Sequence, residues 1–350
     1  MTPAIPRGVD DLTPEWCSEA LGQEITEVAP TPLGVGVGLV GELFKLALRG
    51  PEGDRVVVAK LAAPTDETRF VATVLNMYGR EVGFYNELSA RTPIAHPECY
   101  YAAHDPESQD TVLLLEDVST RGRALDQVAG CSLDESRPAI RTLARLHAGF
   151  WDDAALGDIP WLGRLADDPY PGAVGLAYEG AWPKVQELFA DDITLRVRDF
   201  GDAYVERIPA LFAKLSEPPC VLAHADWRLD NLFFTPDGDV VAVDWQLIDR
   251  SVGPRDLAYL VTQSLEVDDP GAYDQALAWY LADLATHGIE PDAGWAREMY
   301  RYATAFAFTY PVIAAGGLTI EDPRHLELTR AFLVRSVRAL DALDAFDLPL

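Results

Sequence analysis

Within a stretch that otherwise reads as helical, residues 221–246, VLAHADWRLDNLFFTPDGDVVAVDWQ, carry the signals of strands and a tight reversal. Asp237–Gly238 between the β-forming runs LFF and VVAV is a strong short-range hairpin signal, because glycine takes positive φ at little cost. A hairpin folds its two ends together. With the turn centred on Asp237–Gly238, Phe233 faces Ala242, Leu232 faces Val243 and Asn231 faces Asp244. Pro236 has no N–H to give, so a type I turn with Gly238 left-handed shifts the register by one residue. Asn231 and Asp244 still fall at the same end.

A carboxylate beside an amide carbonyl suits Mg²⁺, a hard cation that takes few protein ligands because phosphates and waters complete its octahedron. Asn231 and Asp244 are therefore the candidate metal ligands. Asp226, a few residues earlier in the same loop, is placed to orient a substrate hydroxyl and accept its proton during in-line attack on a γ-phosphate. Phosphoryl transfer also needs positive charge on the nucleotide. Lysine is scarce here, with only Lys45, Lys60, Lys184 and Lys214 in 350 residues. Lys60 ends the apolar run RVVVAKL, where an ammonium is tolerated only beside an anion, and Glu81 is the natural partner. The pair would aim Lys60 at the α and β phosphates of ATP. The glycine-rich turn in residues 34–41, with Gly36 and Gly38, would let backbone N–H groups approach those phosphates. The run TVLLLEDV would supply the strand whose backbone pairs with adenine, near Glu116 and Val118.

The spacing predicts a first helix from residues 11–13 to Gly22, capped at its start and led by Pro14. Three adjacent strands follow, from LGVGVGLVGELFKLAL and RVVVAKL separated by the turn PEGD. Residues 70–88 place Val71, Val74, Leu75, Tyr78, Val82, Tyr85 and Leu88 near helical spacing, which predicts one long amphipathic helix. Helical periodicity dominates after residue 120, in PAIRTLARLHAGFW, YDQALAWYLADLATHG and HLELTRAFLVRSVRALDAL. The expected fold class is α+β and two-lobed: residues 1–120 form an antiparallel sheet with a helix, and residues 121–350 form a mainly helical lobe. His147, among apolar residues in LARLHAGFW, reads as a core histidine.

A formal charge of −28 opposes general affinity for nucleic acid, whose binding draws on Lys and Arg. No apolar run approaches the roughly 20 residues of a spanning helix, and the N-terminal residues lack a basic segment followed by an apolar one. A cytoplasmic protein is expected. Cys17, Cys99, Cys131 and Cys220 lie far apart, without metal-site or redox spacing, and read as reduced thiols.

HADWRLDN with VDWQ and GPRDLAYL resembles the aminoglycoside phosphotransferase and choline kinase-like superfamily, along nearly the whole chain. YGREVGFYNEL, LLLEDV, DQVAGCS, LARLHAGFW, HADWRLDNLFF and VAVDWQ, in that order, are similar to bacterial relatives of the ecdysteroid kinase-like phosphotransferases. The resemblance implies a protein-kinase-like fold, ATP and Mg²⁺ as cosubstrate and cofactor, Asp226 as base, Asn231 and Asp244 on the metal, and Lys60 with Glu81 on ATP. It further implies that His224 braces the catalytic loop and that Asp256 tethers the segment after the metal-binding Asp. That family usually reads His-Gly-Asp where this chain has Ala225, so a backbone angle costly for a residue with a Cβ would strain the loop.

Two other readings stand beside the kinase. His224, Asp226 and Asp244 could serve a metal-dependent hydrolase, which leaves Lys60 and Glu81 unexplained. A non-catalytic nucleotide-binding regulator would not need the full set of Lys60, Asp226, Asn231 and Asp244. The motifs report chemistry and not the acceptor: a sterol, a sugar, an amino alcohol or an antibiotic each carries the required hydroxyl.

Overall fold

The computed structural model describes residues 3–33, 41–316 and 323–349. The chain divides into two compact units, Met1–Gly122 with Val241–Leu247, and Arg123–Val240 with Ile248–Leu350.

In the first unit, α1 (Pro14–Leu21) starts where the Thr13 hydroxyl accepts from Trp16 N–H and stops at Gly22, with φ +66°. An antiparallel sheet follows, built from β1 (Glu27–Leu33), β2 (Gly41–Arg49), β3 (Arg55–Ala62), β4 (Cys99–His104) and β5 (Thr111–Glu116) in the order β1-β2-β3-β5-β4. Alternation along the strands sends Phe44, Leu46, Leu48, Val57, Ala59, Leu61, Val112 and Leu114 into one core with Leu12, Cys17 and Ile25.

Residues 70–88 do not form the single helix that the periodicity predicts. α2 (Asp66–Val74) stops, α3 (Met77–Gly83) begins, and a π-helical turn covers Phe84–Leu88. Asn76, between the two helices, has φ +49°, and a right-handed helix cannot run through a left-handed residue. Hydrophobic spacing does not register such a break, because α2 and α3 keep their apolar positions on either side of it. The segment Val241–Leu247 comes back to this unit late in the sequence, and Ala242 N–H donates to Ala95 O at 2.9 Å.

The second unit is mainly helical. Its helices are α4 (Leu133–Gly149), α5 (Tyr170–Leu188), α6 (Leu195–Asp202), α7 (Tyr204–Leu215), α8 (Pro254–Ser264), α9 (Gly271–Thr286), α10 (Ala293–Ala307), α11 (Thr309–Gly316) and α12 (Pro323–Ala342). A reciprocal cap between Ser132 and Glu135 opens α4. Every residue of α8 is buried, and it packs against α9, α10 and α12. β6 (Val221–Ala223) pairs with β9 (Asp249–Ser251), while β7 (Leu232–Phe234) pairs with β8 (Val240–Ala242). At the β7–β8 turn Thr235 N–H donates to Asp239 O at 3.0 Å and Gly238 has φ +80°, so the register is the one displaced by a residue from the symmetric turn.

The four cysteines are free thiols. Burial pushes the pKa of Cys99 and of Cys131 up to about 12, far from a reactive thiolate. Among the described residues no helix is long and apolar enough to cross a membrane.

Candidate active site

In the first unit, β3 carries Lys60 outward from the core, on the side of the sheet opposite Ala59 and Leu61. Its Nζ lies 2.7 Å from Glu81 Oε2, on α3, and 2.7 Å from Asp244 Oδ1. Burial alone would lower the pKa of this ammonium, but the charges of Asp244 and Glu81 outweigh it and hold the pKa above the ordinary value. Glu81 is only 2% exposed at its side chain, and it also accepts from Trp245 N–H. Asp244 adopts φ +66°, and its Oδ2 accepts from Gln246 Nε2 at 3.2 Å. The Lys60–Glu81 contact is the one expected from the sequence. The second carboxylate on Lys60 is not, since 184 positions separate it from Asp244 and no local pattern links them.

Trp245 stacks face to face on Phe84, with ring centroids 3.8 Å apart and planes within 5°. This fixes the backbone beside Asp244 against the π-helical turn that continues α3. The Trp245 indole N–H donates to Ala242 O at 3.2 Å. Glu116, at the end of β5, exchanges backbone and side-chain bonds with Glu98 and accepts from Arg121. Val118 opens a 3₁₀ turn just beyond it. Gly36 and Gly38 lie outside the described residues.

In the second unit, β6 runs into the loop that holds Asp226 and Asn231, which are 5% and 6% exposed. Asn231 Nδ2 donates to Asp226 Oδ2 at 2.7 Å and to Asp226 O at 3.0 Å, which turns the amide oxygen away from Asp226. Arg228 Nε lies 3.2 Å from Asp226 Oδ1. The loop is held from α8. Asp256 accepts from His224 N–H at 2.6 Å and from Ala225 N–H at 2.9 Å, and its Oδ2 also lies 3.2 Å from His147 Nε2. Burial would raise the Asp256 pKa, but its bond and charge interaction with His147 and the charges of Arg255 and His224 hold it below the ordinary value. His147 is fully buried and its Nδ1 lies 2.8 Å from Tyr280 Oη. His224 Nδ1 accepts from Asp226 N–H at 3.3 Å. Ala225 has φ +65°. Its Cβ therefore stands in the conformation that glycine adopts freely.

Tyr259, three positions after Asp256 on α8, is buried, and that burial together with the nearby negative charge of Asp226 pushes the pKa of its hydroxyl well up. The sequence reading passed over it. The signal was the spacing in GPRDLAYL, since residues three apart share a helix face.

These groups define two chemical tools. In the first unit a buried ammonium is clamped by two carboxylates, one of them, Asp244, a quarter exposed at its side chain. In the second, a carboxylate is held by an amide and faces a guanidinium, with a buried phenol nearby. A carboxylate and an amide oxygen are the hard donors that suit a magnesium ion bound mainly through phosphates. Among the described residues no three His, Cys, Asp or Glu side chains gather as a metal-binding group.

The sequence profile described as the ecdysteroid kinase-like family matches residues 42–149 and 176–289, well over half of the chain. The chain belongs to the ecdysteroid kinase-like family. Solved structures share the family's kinase-like phosphotransferase architecture. One is the amicoumacin kinase hAmiN in complex with AMP-PNP, Ca²⁺ and Ami, at 13% identity and a TM-score of 0.57, over 90% of this chain and 88% of that one. Another is choline kinase from Cryptosporidium parvum Iowa II, at 12% identity and a TM-score of 0.53, over 90% and 88%. A third is an aminoglycoside phosphotransferase from Alicyclobacillus acidocaldarius, at 16% identity and a TM-score of 0.51, over 99% and 96%. At these identities the likeness is one of fold. No curated protein sequence matches the chain.

Proposed function

We propose that this member of the family is an ATP- and Mg²⁺-dependent kinase that transfers the γ-phosphate to a hydroxyl of a small molecule. The observation that carries the reading is the Lys60 ammonium held 2.7 Å from both Glu81 and Asp244 on the outer side of the sheet. A lysine so clamped has no role in packing the core, and it supplies the fixed positive charge that phosphates require. The amicoumacin kinase complex with AMP-PNP and Ca²⁺ supports a nucleotide and a divalent cation in this fold.

In this reading Lys60 positions the α and β phosphates and Glu81 keeps it aimed. Asp226 receives the acceptor's hydroxyl proton at its carboxylate, with Asn231 and Arg228 fixing the carboxylate's orientation. Asp244 and the Asn231 amide oxygen hold Mg²⁺, which when bound neutralises phosphate charge. Gly36, Gly38, Glu116 and Val118 complete the nucleotide contacts through their backbone. The acceptor is a small hydroxylated compound.

Calorimetric titration with AMP-PNP, with and without Mg²⁺, tests the site, and an ATP-consumption screen over hydroxylated compounds then finds the acceptor. Binding strengthened by Mg²⁺ supports the proposal; no binding in either condition removes it. Asp226→Asn is expected to keep AMP-PNP binding while turnover falls by about two to four orders of magnitude. Asp244→Ala is expected to lose the Mg²⁺-dependent part of binding.

A further inference from the structure

Two of the chain's four lysines stand on one side of the sheet in the first unit. β2 pairs with β3 so that Leu43 faces Lys60 and Lys45 faces Val58, and β3 pairs with β5 so that Lys60 faces Leu113 and Val58 faces Leu115. Directly paired residues share a side of the sheet. The residues between them, Phe44, Leu46, Val57, Ala59 and Leu114, are sealed in the core on the other side. Leu43, Lys45 and Val58 are only half-buried. The arrangement is an apolar floor of Leu43, Val58 and Leu115 with an ammonium on either side of it.

Lys60 is the inner ammonium. Lys45 is the outer one, and its Nζ lies 2.7 Å from Asp117 Oδ2, immediately after β5. β2 and β5 are not neighbours, because β3 lies between them. Two strand spacings separate them, about 10 Å. Glu116 pairs with Val57, so Asp117 lies one residue further along, and the aliphatic stem of Lys45 therefore crosses β3 beyond Val58, on its Val56 side, to reach its partner. The bridge is a bar laid over the end of the floor where β5 leaves the sheet.

The far end of the bar is anchored. Asp117 Oδ1 accepts from Ser119 N–H at 3.1 Å and from Ser119 Oγ at 2.6 Å, so the same carboxylate shapes the turn that starts at Val118. An exposed ion pair contributes little by itself. Here the acid side chain is 14% exposed, and the base is a lysine in a chain whose other basic groups are nearly all arginine. A lysine's long apolar stem can serve as a wall while its head stays charged.

We propose that the Lys45–Asp117 bridge is the outer wall of the slot for a nucleotide's base, and that Lys45 adds affinity for a nucleoside triphosphate without taking part in phosphoryl transfer. The inference rests on the kinase reading above. The base lies on Leu43, Val58 and Leu115, packs its outer edge against the Lys45 stem, and meets a Glu116–Val118 backbone that the bridge keeps fixed before binding. Such preorganisation appears as affinity.

Titration with AMP-PNP and Mg²⁺ compares the unaltered chain with Lys45→Ala, Lys45→Met and Asp117→Asn. Lys45→Ala is expected to bind about 10-fold more weakly. Lys45→Met, which keeps the stem, loses less, and turnover at saturating ATP stays within about 2-fold. Asp117→Asn added to Lys45→Ala changes little further, because the bridge is already gone. A second measurement needs no variant. Acetylation by an amine-reactive ester, read by mass spectrometry, is expected to slow at Lys45 when AMP-PNP is present and to stay unchanged at Lys184 and Lys214. AMP-PNP binding to Lys45→Ala with unaltered affinity, or Lys45 acetylation indifferent to AMP-PNP, overturns the inference and leaves the kinase reading standing. An unaltered chain that binds no AMP-PNP overturns both.

Discussion

Ala225 and Asp244 both adopt left-handed backbone, at φ +65° and +66°. For a residue with a Cβ that conformation costs roughly 1–2 kcal/mol, and it persists only where surrounding bonds enforce it. At Ala225 those bonds are visible, because its N–H and that of His224 both end on the buried Asp256 carboxylate. Ala225→Gly removes the Cβ strain and adds freedom to the unfolded chain, two effects of similar size and opposite sign. The expected outcome in urea denaturation is unchanged stability or a gain of up to about 1 kcal/mol, where the same change inside an ordinary helix loses 0.5–1 kcal/mol. A clear loss would show that the Ala225 methyl group packs more strongly than its backbone strains. The need for this angle was legible only through the resemblance, whose family pattern usually has glycine between the histidine and the aspartate. The angle at Asp244 was not, because an aspartate gives no sign of the conformation it holds.

At the scale of elements, α3 and α8 do the positioning. The Trp245 ring is fully buried against Phe84, so Trp245→Ala is expected to destabilise by about 3–5 kcal/mol, with Trp245→Phe recovering most of it because the stack survives. Differential scanning calorimetry measures both. Asp256, also fully buried, gives α8 its hold on the Asp226 loop. Asp256→Asn is expected to destabilise by roughly 3 kcal/mol at neutral pH, since it removes a charge that His147 and two backbone N–H groups address. The folded-state pKa of Asp256 is lowered, so its contribution is complete above the ordinary aspartate pKa of about 3.9 and is lost as pH falls through the lower folded value. Urea midpoints of the two proteins should therefore differ at pH 7 and converge in strong acid; a constant gap would count against the charge.

Helices of this kind are readable from periodicity, as α4, α9 and α12 show. β4 and β9 were not readable: every residue of β4 is half-buried, leaving no alternation, and β9 is the three residues Asp249–Ser251, charged and too short for a pattern. Asn76 splits the predicted helix for a related reason, because a single backbone angle does not alter hydrophobic spacing.

At the scale of the molecule, a net charge of −28 repels itself in any compact state. Raising ionic strength from 0.01 M to 0.15 M shortens the screening length from about 30 Å to about 8 Å. The thermal midpoint is expected to rise over that range, and a midpoint that falls would mean that the attractive ion pairs outweigh the surplus. The α+β plan with a sheet first and helices after it was legible in the sequence, because hydrophobic period and turn residues agree over long stretches. The return of Val241–Leu247 to the first unit was not, since nothing local marks seven residues as packing with a unit whose other residues end more than a hundred positions earlier. That return limits how such a protein can be recombined. A gene cut at residue 122 would deliver a sheet lacking Trp245 and Asp244, and a gene starting at residue 123 would carry both away from Phe84, Glu81 and Lys60. Chimeras that exchange the first unit between relatives must therefore carry this seven-residue segment with it, so a single crossover cannot swap the unit whole.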